Sequence, residues 1–159
     1  MNFPVILGAA LIPTLTGFIW YNPKVFGTAW MKAADMTEEK MKGANMAVIF
    51  GVSIFLSILL SVQMNFIVVH QTHIQSLFVG HESPETAAYI QSFMENYGTI
   101  HRTFTHGLVH GALAGFFFAL PILGTNALFE RKGWKYILVN AGYWTITLMM
   151  MGAVLCQWA

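Results

Sequence analysis

The chain has 159 residues, of which 56% are hydrophobic and only 9% charged, with a formal net charge of +1. A water-soluble domain carries roughly 25% charged residues, so this composition excludes a water-facing surface over most of the chain and makes lipid its solvent. A near-neutral chain with no basic cluster, P-loop or Gly-x-Gly-x-x-Gly run gives no case for nucleic acid as a partner.

The first predicted span is residues 3–20. Pro4 falls in its first turn, where a missing N–H costs little, and Pro13 falls in the middle, where it kinks the helix. The segment has no basic n-region, so it reads as a membrane helix rather than a cleaved leader. Trp20 and Tyr21 mark an interface, and Asn22-Pro23 closes the span. The connection that follows places Phe26, Trp30 and Met31 among lysines, as in a segment lying at the headgroups. Thr37 with Glu38 and Glu39 is a helix start expected to run on into the second span.

The second span, 46–69, repeats a polar or small residue every four positions: Ser53, Ser57, Ser61 and Asn65. Such a stripe faces protein rather than lipid. Residues 70–102 form a long connection in which Ser83-Pro84-Glu85 starts an amphipathic helix bearing Tyr89, Phe93 and Tyr97. The third span, 105–123, carries Gly107, Gly111 and Gly115 on one stripe and is expected to end near Pro121. It reads as the central helix of the bundle, its glycines facing the serine stripe of the second span at a crossing angle. A short polar hairpin with Glu130 beside Arg131, an expected helix-end ion pair, leads to the fourth span, 134–158, bracketed by Trp134 and Trp158.

The expected fold is therefore all-α: one integral membrane domain, 1–159, of four transmembrane helices with an amphipathic helix in the outer loop. Lysines and arginines set the orientation. The first connection holds Lys24, Lys32, Lys40 and Lys42, and the third holds Arg131, Lys132 and Lys135; the long second connection holds Arg102 alone. By the positive-inside rule the first and third connections are cytoplasmic, and both termini are extracytoplasmic.

Trp20-Tyr21-x-Pro23, Phe26-Gly27-x-x-Trp30-Met31, Asn126-x-x-Phe129-Glu130 and Gly142-Tyr143 resemble the bacterial domain-of-unknown-function 1761 family over essentially the whole chain. The resemblance implies a small integral protein of the bacterial cytoplasmic (inner) membrane and implies no activity.

All six histidines fall between positions 70 and 110. His70 and His73 are three apart and His106 and His110 four apart, so each pair can share a helical face. Together these four imidazoles form a candidate site for Zn, Cu or a haem iron. A bare His-x-x-x-His is a weak zinc signature, and hydrogen-bonding or pH-sensing histidines are the alternatives. No carboxylate lies within a span and no nucleophile–base pair is defensible, so no catalytic residue is assigned. The one cysteine, Cys156, can form neither an internal disulfide nor a Cys-x-x-Cys site and reads as a small apolar residue. The ten methionines form no copper-binding run.

Three functions stay open. The first is a non-enzymatic accessory subunit or homo-oligomer without cofactor, packed through its glycine and serine stripes. The second is a metal- or haem-binding membrane protein. The third is a small transporter or channel. The expected partners are the lipid bilayer and another membrane protein or a second copy of the chain.

Overall fold

Four helical stretches are long and apolar enough to cross a membrane: Phe3–Trp20, Met46–Val68, Phe104–Phe129 and Trp134–Trp158. The structure, a computed structural model, describes residues 1–159 and is helical throughout, with no strand. In chain order, α1 (Phe3–Ala9) and α2 (Ile12–Trp20) make the first span, broken where Pro13 removes a donor. A π-helical turn, Pro23–Gly27, leads into α3 (Thr28–Ala34), and α4 (Glu38–Lys42) follows. The second span is α5 (Met46–Val68). The long second connection holds α6 (Thr72–Leu77) and α7 (Pro84–Tyr97). The third span is α8 (Phe104–Ala114), a π-helical turn at Gly115–Ala119, and α9 (Leu120–Phe129); the fourth is α10 (Trp134–Trp158).

Hydrogen bonds fix which connections share an end. Lys132 Nζ donates to Ala34 O at 3.2 Å, joining the first and third connections. At the opposite end Asn2 Nδ2 donates to Trp158 O, and Arg102 donates from Nε to Cys156 O at 2.8 Å and from Nη2 to Ala159 O. The two chain ends and the long connection therefore lie together, as four antiparallel spans require. This is a multi-pass membrane protein.

Several details differ from the sequence reading. The centre of the bundle is α10, not the third span: α10 buries eleven residues, from Ile137 to Cys156, and packs against the other three spans. The glycine stripe faces α10 rather than α5. A Cβ on Gly107 would stand 2.7 Å from Ala153 Cα, one on Gly111 2.5 Å from Met149 Cα, and one on Gly115 2.6 Å from Thr145 Cα. Only hydrogen fits there, so the two backbones meet directly, the close approach that small residues permit in membranes.

The polar stripe of α5 turns instead toward the first span, where Ser61 Oγ donates to Ile6 O at 2.8 Å. Ser57, Ser61 and Asn65 are buried, whereas Ser53 is exposed. Pro121 does not end the third span. The π turn just before it shifts the hydrogen-bond register, and Pro121 falls in the first turn of α9, where no N–H is missed.

The helix at Glu38 stops at Lys42, and α5 starts afresh under an Asn45 cap that accepts from Val48 N at 3.2 Å. Glu130 and Arg131 form no ion pair; the single salt bridge is Lys40–Asp35 at 3.7 Å. Arg131 instead takes a left-handed φ of 56° at the end of α9, where Lys132 N donates back to Ala127 O at 2.8 Å.

The apolar core sits in the half of the bundle nearer the chain ends, around Ile6, Met64, Val68, Leu148, Met151 and Leu155. Toward the other end α5 leans away, exposing Val48, Val52, Phe55 and Leu59. These are side chains that lipid covers at no cost.

Candidate metal centre at the mouth of the bundle

The N-terminal end of α8 starts at Thr103, whose hydroxyl caps the helix by accepting from His106 N at 3.2 Å. That cap fixes the first turn, from which His106 projects, with His110 one turn deeper on the same face. Opposite them α5 ends: Val69 N closes the helix on Asn65 O at 2.9 Å, and Thr72 donates to Val69 O through both backbone N and Oγ1. This tight turn presents His70 to α8. Gln71 Nε2 holds the far side of the loop, donating to Ile100 O at 2.7 Å and Tyr97 O at 3.3 Å.

The result is a convergence of three imidazoles. One ring nitrogen each from His70, His106 and His110 lies within 4.8 Å of the other two. His70 Nε2 and His106 Nε2 are 2.9 Å apart. The His70 ring centroid stands 4.8 Å from that of His110, and His106 stands 4.4 Å from His110. Two nitrogens that each bind an ion at about 2.1 Å stand about 3.0–3.4 Å apart, so small side-chain rotations bring this triad onto one ion. Burial, then the neighbouring His110, His101 and His73, hold the His70 pKa below its ordinary 6.5. An imidazole that stays neutral keeps its lone pair for a metal.

Of the sequence-derived candidates His70, His73, His106 and His110, the structure brings together three. His73 is exposed and lines a cavity beside them. The added neighbour is His101, whose ring stacks on that of His106 at 4.9 Å and 17°. His101 has a left-handed φ of 61°, uncommon for a side chain of this size. Its carbonyl accepts from the Cys156 thiol at 3.2 Å and from Thr103 N at 2.9 Å, which anchors the turn on α10. Cys156 is fully buried in the apolar core, as its reading as a small apolar residue expects, and its thiol lies between His101 O and Val68 O, the latter at 3.4 Å, beside the junction of α5, α10 and the loop. Nothing in the sequence marks His101 apart from the other loop histidines; only the backbone turn does.

The residues that carry the family resemblance gather at the other end. Trp20 Nε1 donates to Val139 O at 3.0 Å, and Tyr21 OH to Asn140 Oδ1 at 2.9 Å. Trp20 packs on Phe26 with centroids 4.3 Å apart; Tyr21 packs on Trp30 and on Tyr143. A Cβ on Gly142 would come within 3.0 Å of the Trp20 ring, so glycine there admits the indole. Tyr143 OH donates to Pro13 O at 2.7 Å, which ties α10 to the kinked first span. Trp20, Tyr21 and Trp30 thus turn inward onto α10, while Trp134 and Trp158 are exposed as interface residues would be. This aromatic knot packs helix against helix and gathers no histidine, cysteine or carboxylate.

No curated protein and no solved structure matches the chain. A family model does, over residues 4–156 of the 159. With its aromatic landmarks gathered at one end of the bundle, the chain belongs to DUF1761, a family described as proteins of unknown function.

Proposed function

We propose that this is a membrane protein that holds a divalent transition-metal ion, Zn2+ or Cu2+, through His70, His106 and His110 on the extracytoplasmic side. The observation that carries the reading is the convergence of three imidazole nitrogens from two spans. Three nitrogen ligands leave one position of a tetrahedral ion open, the arrangement of an exchangeable rather than a closed site. A compact ion suits the triad better than haem. Axial haem ligands stand on opposite faces of a macrocycle, whereas His70 and His106 are in hydrogen-bonding contact at 2.9 Å and three imidazole nitrogens converge within 4.8 Å, as ligands of one ion do. The orientation rests on the basic residues of the first and third connections, which lie at the end away from the triad. On this reading the ion is held at the periplasmic side of the bacterial inner membrane.

Total metal analysis on protein extracted gently from its membrane tests this. About one ion per chain is expected, lost in the His106→Ala/His110→Ala double variant and retained in His81→Ala, whose side chain stands outside the triad. Equal metal content in all three proteins would sink the reading.

A second reading, an accessory subunit or homo-oligomer, draws support from α5, whose cytoplasm-proximal half touches the first span through Phe50 on Phe18 but leaves Val48, Val52 and Phe55 exposed. The glycine stripe is used up against α10, so a partner would dock on another face, and α5 offers one. A monomeric mass in lipid nanodiscs across a wide concentration range would count against it.

A further inference from the structure

Beside the triad, on the outer side, a cavity of about 450 Å³ opens between α6 and α7. That volume is within the range of small-molecule sites. One wall is apolar, from Ile74 of α6 and Phe93 and Tyr97 of α7; the remainder includes His70, His73 and His101. Two of these histidines locate the polar end. His70 is a member of the triad, and His101 stacks on His106, so the cavity abuts the metal centre through them. Phe93 stands a full turn before Tyr97 along α7, and the two rings pack 5.2 Å apart, which carries the apolar wall away from the histidines.

The protein offers no anion at this place. Glu82 is tied to Gly80 N at 3.0 Å, Glu95 accepts from Gln91 at 3.0 Å, and no carboxylate lines the cavity. A divalent ion on three neutral imidazoles therefore keeps its full charge and an open position. What fits is a molecule with an anionic head for the ion and an apolar body for the wall.

We propose that the cavity binds a single-chain carboxylate amphiphile, a fatty-acid-like ligand drawn from the outer leaflet, with its head on the triad's ion and its chain along Ile74, Phe93 and Tyr97. The proposal rests on the metal reading above. Carboxylate oxygen binds such an ion directly, and the apolar wall selects against short acids, which gain nothing from it.

The test uses the full chain, stripped of metal, reloaded with Co2+ and held in lipid nanodiscs, with visible d–d absorption as the readout. Dodecanoate is expected to shift the Co2+ bands at concentrations where acetate and dodecanol do not. Phe93→Ala and, separately, Ile74→Gln are expected to weaken that response about tenfold with Co2+ content unchanged. Cobalt bound without any response to dodecanoate overturns this proposal and leaves the metal centre standing. An equal response to acetate removes the cavity from the argument and also overturns it. A response to decyl-quinone but not dodecanoate assigns the cavity to a neutral ring ligand, against the proposal. A chain that takes up no cobalt removes both readings.

Discussion

Replacing Gly111 by alanine is the sharpest test of how this bundle is held. The added Cβ would meet Leu148 O and lie 2.5 Å from Met149 Cα, both backbone atoms of α10 that no rotamer change can move. Ordinary van der Waals contact lies near 3.5–4.0 Å, so α8 and α10 must part locally by about 1 Å. A gap of that size forfeits a quarter to a half of each dispersion well along the seam. Overpacking of this kind costs about 1–3 kcal/mol, and the upper end is expected where both sides are backbone. Alanine's better helix propensity offsets at most about 1 kcal/mol of it.

Gly51→Ala is the control, because nothing lies within 4 Å of that position and it gains the propensity alone. Denaturation followed by tryptophan fluorescence should separate the two variants by about 2 kcal/mol or more. Displacing α8 also shifts His106 and His110 relative to His70, so metal content should fall in Gly111→Ala and hold in Gly51→Ala. Equal stability of the two variants would refute the direct backbone contact.

Three further outcomes are expected. The His70 pKa lies below 6.5 in the folded chain, so between that lowered value and 6.5 the unfolded state binds more protons. Metal-free protein should therefore lose stability as pH falls through 6.5 and level off below the folded pKa, and His70→Gln should flatten the profile; an unchanged profile would contradict the assignment. Arg102→Gln removes the charged donor from two carbonyls at the end of α10 and should lower stability by about 2 kcal/mol in chemical denaturation, with no loss counting against the clamp. Asn65 is buried with neither side-chain atom hydrogen-bonded, so Asn65→Leu should leave the melting temperature level or raise it. A clear drop would mean that Asn65 holds water in the adjoining cavity of about 120 Å³.

The sequence alone determined the spans, because helix existence in lipid depends on local composition. Apolar length, Pro13 and the bracketing tryptophans act within a few residues of where they stand, and the fourth span matches at both ends. Caps such as Ser83 are local for the same reason. Only the tertiary structure decided which stripe meets which. A glycine stripe states that something comes close, not what, and α10 won because Gly152 and Ala153 offer backbone where α5 offers serine hydroxyls. The same limit governed the histidines. His70 joins His106 and His110 because the turn after α5 points it at α8, while His73, three residues on, turns past the triad. Spacing places two side chains on a face; the path of the chain between helices decides whether the faces meet.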